Sequence, residues 1–125
     1  MDVEKVISEI VRCAYKVSDK LASGYLEVLY RRALAIELKK VGLGVLEEAP
    51  IQVLYDGVVI GDYRADLLVE NCVIVELKAV SMLVMEHEIQ LVNYLTATGL
   101  DSGLLINFGT EKVQIKRKYR VYRKS

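Results

Sequence analysis

"YRADLLVENCVIVELKAV", Tyr63 to Val80, decides how this chain is read. Two apolar runs flank the turn signal Glu70-Asn71, which predicts an antiparallel hairpin. Arg64, Asp66, Glu76 and Lys78 interrupt runs that otherwise belong in a core. Burying charged groups is costly unless they are paired, so their placement needs a reason. If Val69 faces Val73 across a three-residue loop, Asp66 falls opposite Glu76 and Arg64 opposite Lys78. Even spacing puts all four on one face and leaves Ala65, Leu67, Val69, Val73, Val75 and Leu77 as an apolar core face. A slip of one residue would exchange the faces, so this register is an expectation.

Near the turn the charged face is itself apolar, at Leu68, Cys72 and Ile74. That pattern predicts a sheet covered on both sides, with a charged cleft at one end. Two readings remain open. The charges form cross-strand salt bridges, Asp66 with Lys78 and Glu76 with Arg64, each contributing roughly 0–1 kcal/mol if exposed. Alternatively they form a site. Two neighbouring carboxylates suit a hard cation such as magnesium, which takes one or two carboxylates and keeps waters and phosphate oxygens. A lysine beside them can orient water or stabilise charge building on phosphorus.

Outward from the hairpin, apolar positions Val3, Val6, Ile7, Ile10, Val11, Ala14 and Val17 have helical spacing over residues 2–20. A second helix is predicted over 24–41, stopped by Gly42 and Gly44. From Val45 the chain is β-rich, with an Asp-Gly hairpin signal in "YDGV". Residues 84–98 return to helix, ended by Gly99. "SGLLINFG" reads as a short buried strand, and "KVQIKRKYRVY" as a last strand with a basic face. The order is α-α-β-β-β-α-β-β, a mixed α/β domain.

With 125 residues and 53% hydrophobic content, the chain is expected to form one domain over residues 1–125 with a substantial core. No apolar run is long enough to span a membrane, and "MDVEKVISEIV" lacks the features of a secretory signal. Cys13 and Cys72 stand far apart without a metal-binding spacing and read as small buried hydrophobes, so a reducing cytoplasm is the expected setting. Formal net charge is zero, which disfavours strong nonspecific nucleic-acid binding. The segment Lys116 to Lys124 nevertheless holds six basic residues and no acid.

Several of these stretches resemble one family. Asp66, followed after nine residues by Glu76-Leu77-Lys78, resembles the Asp…Glu-x-Lys signature of the PD-(D/E)xK nuclease superfamily. "GYLEVLY" at 24–30 has the Gly-x-x-Glu-x-x-Tyr pattern that names the GxxExxY family within it. "YRADLLVE", "VIVELKAV", "HEIQLVNYL" and "GLLINFG" also resemble that family's blocks, in order and over nearly the whole chain. The resemblance implies a restriction-endonuclease-like α/β fold, a mixed sheet flanked by helices. It implies a nuclease using Mg2+ or Mn2+ and acting on DNA or RNA. By the same resemblance Asp66 and Glu76 would hold the metal, with Glu27 as an accessory ligand. Lys78 would assist the attacking water, and Gln90 would be the recurrent glutamine of the helix after the third strand. Ala65 stands where the superfamily's nominal proline precedes the aspartate.

Other residues carry two readings each. Glu27 and Arg31 have the spacing of a surface ion pair. Tyr30 reads as a packing residue, and His87 as a residue of the surface or core edge. Tyr94 is either a packed aromatic or part of the cleft with Gln90. Arg64, Lys116, Lys118 and Arg120 are candidate phosphate contacts, with Tyr119 and Tyr122 available for stacking, or else a solvated basic face. Two rival functions stay open: a non-cleaving module that binds nucleic acid or protein, and a hydrolase of a small phosphorylated molecule. A homo-oligomer or a protein partner is compatible with either.

Overall fold

The computed structural model describes residues 2–121. Helix α1 spans Val3–Lys20 and is capped by Asp2, whose Oδ1 accepts the Glu4 N–H at 3.1 Å. Val6, Ile10, Cys13, Ala14 and Val17 form its buried stripe, as the spacing predicts. Helix α2 spans Glu27–Lys40 and starts three residues later than expected. Gly24 adopts φ +109°, which turns the chain before the helix can begin. Tyr30, Leu34, Ala35 and Leu38 are its buried apolar residues.

Strands β1 (Val45–Tyr55) and β2 (Val58–Val69) form a long antiparallel hairpin. Asp56 and Gly57, with φ of +49° and +78°, make its two-residue turn between Tyr55 and Val58. Strand β3 (Val73–Lys78) returns antiparallel to β2 with Val69 opposite Val73, the register expected from the sequence. Helix α3 (Met85–Thr98) then crosses over to β4 (Ser102–Asn107), which runs parallel to β3. Gly99 at φ +74° ends that helix. Strand β5 (Gln114–Tyr119) closes an edge antiparallel to β4, and the sheet order is β1-β2-β3-β4-β5.

The sheet is covered on both faces. Helices α1 and α2 pack on one side, over Leu67, Val69, Val73, Val75, Leu77, Leu104 and Ile106. Helix α3 packs on the other through Leu91, Tyr94 and Leu95, over Ile74 and Leu105. All of β4 and nearly all of β3 are therefore buried, which explains their continuous apolar sequences.

Four expectations about the central hairpin are corrected. The β2–β3 ladder ends at Leu67–Val75, so Asp66 and Glu76 do not form a ladder pair, and Arg64 does not face Lys78 but pairs with Pro50 of β1. Beyond Leu67, β2 leaves β3 and continues with β1 as a two-stranded arm. Neither proposed cross-strand salt bridge forms among the described residues. Ala65 also changes sides, joining Ala49 and Ile51 in the α3-side cluster. Between the pairs Glu47–Leu67 and Ala49–Ala65, Glu48 has φ +52° and is left out of the β1–β2 ladder opposite Asp66, which breaks the alternation there. Cys13 is buried as expected, whereas Cys72 is only partly so. No described helix is long and apolar enough to cross a membrane.

Candidate active site

The fork between β2 and β3 is where charge collects. Asp66 is the first β2 residue past the ladder, and its Oδ2 accepts the Leu77 backbone N–H at 2.7 Å. Glu76 on β3 is 5% exposed, and its Oε1 is buried without a hydrogen-bond partner. Burial pushes the Glu76 carboxyl up to about 9. The Asp66 charge and a hydrogen bond to the Asp66 side chain add to this, while Lys78 opposes it. Asp66 and Glu76 are thus adjacent, with Lys78 within electrostatic reach.

Glu27 enters from the start of α2. Partial desolvation and the Asp66 charge raise its carboxyl above the ordinary range, and Lys78 and Arg31 act against them. Of the two readings of Glu27, the surface pair with Arg31 is not formed among the described residues. Arg31 turns to β1, lying 3.4 Å from both Glu47 and Glu48, and so ties α2 to the sheet. Tyr30 holds the approach to Glu27: its hydroxyl donates to the Ala22 carbonyl and accepts the Tyr25 N–H at 3.2 Å. Its ring stacks on Phe108 at 4.8 Å. Tyr30 therefore packs, as its sequence reading has it.

Four of the sequence-predicted residues, Glu27, Asp66, Glu76 and Lys78, act on one another electrostatically. Among the described residues, however, no three His, Cys, Asp or Glu side chains are grouped as a metal cage. The donor set is a carboxylate pair with a third carboxylate nearby. That suits magnesium, which accepts one or two protein carboxylates and retains waters. The unpartnered Oε1 of Glu76 fits the same reading, since a buried carboxylate oxygen without a proton donor calls for a cation.

Gln90 and Tyr94 line an adjoining groove rather than the fork itself. Tyr94 is buried, and its hydroxyl is pushed up to about 12, by burial and then by the charge of Glu76, Tyr63 and Asp66. His87 is a local cap, with Nδ1 accepting the Val84 N–H.

The basic strand is largely neutralised. Lys116 and Lys118 both lie 3.0 Å from Glu88, and Arg120 lies 2.7 Å from Asp101. Arg64 is exposed at the base of the β1–β2 arm. The Arg117 guanidinium sits 4.8 Å over the Tyr119 ring, so that face of Tyr119 is covered. Tyr122 lies outside the described residues.

Sequence reading missed Asn107 and Gly109. Asn107 is fully buried at the end of β4, bonding both the N–H and C=O of Val80, the Gly109 N–H and the Gln114 side chain. A Cβ on Gly109 would lie 2.3 Å from the Val80 backbone. These two residues pin the segment that follows Lys78. The available signal was a lone amide closing the apolar run "GLLIN" two residues before a glycine.

The profile of the PD-(D/E)XK nuclease superfamily matches residues 4–118. The chain belongs to that superfamily. Its fold is also similar to that in the crystal structure of SSO0001, with a TM-score of 0.62 at 17% sequence identity. That match covers 77% of this chain and 50% of the other, so this chain spans about half the length of that structure. No curated protein matches. The five-stranded mixed sheet flanked by helices is consistent with a restriction-endonuclease-like fold, in the expected element order. As a PD-(D/E)XK chain it carries Asp66 and Glu76-Leu77-Lys78 in the fork between its central strands.

Proposed function

We propose that this chain is a GxxExxY-type nuclease that hydrolyses phosphodiester bonds in nucleic acid, DNA foremost, with a divalent cation. The observation that carries the reading is the buried Glu76 carboxyl, with Oε1 lacking a hydrogen-bond partner, beside Asp66 and within reach of Lys78. Once ionised, such a group is costly in a core unless it has a charged ligand to hold. The Gly24-x-x-Glu27-x-x-Tyr30 segment supports the narrower family assignment. Gly24 turns the chain, Tyr30 fastens the turn, and Glu27 is presented at the helix start.

In this reading Asp66 and Glu76 would hold Mg2+ or Mn2+, and Glu27 would complete or orient the donor set. The cation would supply Lewis-acid charge to the phosphoryl oxygens. Asp66 is kept in place by the Leu77 N–H. Lys78 orients the attacking water and offsets negative charge as it develops on phosphorus. Gln90 contacts substrate from α3. Arg64 is a further phosphate contact, and Arg120 becomes one by exchanging Asp101 for the phosphate. Lys116 and Lys118 meet a phosphate only by exchanging Glu88 for it, so they contribute weak, salt-sensitive binding. The two free cysteines are compatible with a reducing cytoplasm.

The formal net charge of zero favours a second reading, a binding module on the same fold with little cleavage of its own. One experiment separates the two. Purified protein is incubated with labelled single- and double-stranded DNA and RNA in magnesium, manganese or EDTA. Cleavage that needs metal and is lost in Glu76→Gln and Lys78→Ala supports the nuclease. Salt-sensitive retention without cleavage supports the module. Turnover of a nucleotide alone would point to a small phosphorylated substrate.

A further inference from the structure

Between the β1–β2 arm and α3 lies an open groove of about 730 Å³. That volume is within the range of small-ligand sites, roughly 300–1,000 Å³. Its lining contains no lysine, arginine or histidine, and its one carboxylate is Glu86. A phosphate would find no cation there. The polar groups are instead three exposed amides, Gln52, Gln90 and Asn93, each offering a donor and an acceptor. Tyr63 and Tyr94 supply rings 5.7 Å apart, tilted by 41°. Leu54 and Ile89 present exposed apolar walls.

The ring of Tyr63 has room because residue 61 is glycine. A Cβ there would lie 2.7 Å from the Tyr63 Cε2, so Gly61 lets the ring lie along the strand. Position also matters. Tyr63 and Asp66 are three residues apart on β2, about 10 Å along an extended strand. Tyr94 packs in one cluster with Ala65 and Ile74, which neighbour Asp66 and Glu76 on their strands. The groove therefore opens beside the fork.

We propose that this groove receives an unpaired nucleobase adjoining the scissile phosphate, so that single-stranded or frayed nucleic acid is preferred over intact duplex. The proposal rests on the nuclease reading for the position of the scissile phosphate. Amides and aromatic rings recognise a flat, neutral, polar heterocycle through its hydrogen-bonding edge and its faces. In a duplex that edge is occupied by the partner base and those faces by the neighbouring stack, so a paired base cannot enter.

The test measures binding apart from cleavage. The full chain, in EDTA, is titrated by fluorescence anisotropy with labelled single-stranded DNA, the matching duplex, and a strand of equal length made abasic. RNA of the same sequence tests for sugar preference. Single strands should bind at least roughly tenfold tighter than the duplex or the abasic strand, the scale of one base–aromatic stack. Tyr63→Ala and Asn93→Ala should each remove much of that advantage without changing duplex binding, and Tyr63→Phe should retain it. Thermal melts of each variant guard against misfolding. Equal affinity for duplex or abasic strand, no effect of either alanine variant, or no binding to any strand would overturn the proposal. Metal-dependent cleavage without base dependence removes the groove's role and leaves the nuclease. Base-dependent binding with no cleavage by the metal-loaded protein does the reverse.

Discussion

Asp66 and Leu77 are joined at the point where their strands part: Asp66 Oδ2 accepts the Leu77 backbone N–H at 2.7 Å. The side chain takes the place of a ladder hydrogen bond just beyond Leu67–Val75. A fixed negative charge is thereby held beside the buried Glu76, and the fork is kept from either zipping shut or opening further.

Exchanging Asp66 should separate its two roles. Asp66→Ala leaves the Leu77 N–H without its acceptor and should cost about 1–3 kcal/mol in urea unfolding. Asp66→Asn keeps an acceptor oxygen while removing the charge, so it should lose less stability. Without that charge the Glu76 proton should dissociate at lower pH, which carboxyl NMR titration reads directly. Equal instability of the two variants would contradict the structural role of the bond.

The metal-free protein should become less stable as pH rises. Glu76 keeps its proton in the folded chain up to about 9, whereas the ordinary value for the unfolded chain is 4.5. Between those values the folded state binds more protons than the unfolded state, so stability falls with increasing pH. The slope is at most about 1.4 kcal/mol per pH unit for one group. Glu76→Gln should flatten it and should be the more stable protein near pH 8, as chemical denaturation across pH in EDTA would show. A wild-type curve that rises over this window would refute the account.

Magnesium or manganese should reverse that penalty. A cation bound by ionised Glu76 must displace its proton, so affinity should increase with pH and binding should release protons. Calorimetric titration at pH 7 in two buffers of different ionisation enthalpy measures that release. Wild type should show it and Glu76→Gln should not. Binding that is independent of pH would argue that Glu76 holds no cation.

Tyr30→Phe should act through the entry to α2. It keeps the stacking on Phe108 but loses the hydrogen bonds to Ala22 and Tyr25. A loss of about 1 kcal/mol is expected. Cleavage should fall, though less than in Glu27→Gln, because Glu27 remains present but less firmly held. Wild-type stability together with wild-type cleavage would show the hydroxyl to be dispensable.

Gly109→Ala should destabilise the fold. The new Cβ would meet the Val80 backbone at 2.3 Å, and neither side is a flexible chain end. Overpacking of this kind typically costs about 1–3 kcal/mol, and here it also loosens the Asn107 bonds that hold Val80. Thermal unfolding beside Asn107→Ala would show whether the two act on one segment, since their effects should not add. An unchanged melting temperature would rule this out.

Local chemistry in the sequence was enough for the element order and both hairpin turns, and the Val69–Val73 register supposed from it is the one formed. Asp56-Gly57 and Glu70-Asn71 adopt positive φ that few residues tolerate, and a period of two ties side chains to faces once a turn is set. The same short-range rule brought Asp66 near Glu76, though they meet where the strands part and not as a ladder pair. Tertiary structure alone decided the rest, because it depends on contacts between residues distant in the chain. Glu48 breaks the alternation of its strand and Ala65 joins the opposite core. The β2–β3 ladder stops three pairs short of Arg64–Lys78 and leaves the arm that walls the groove. Arg31 chooses Glu47 and Glu48 over Glu27, and Glu88 takes up Lys116 and Lys118. Which opposite charge a long side chain meets is set by the packing of whole elements, and no spacing within one segment encodes it.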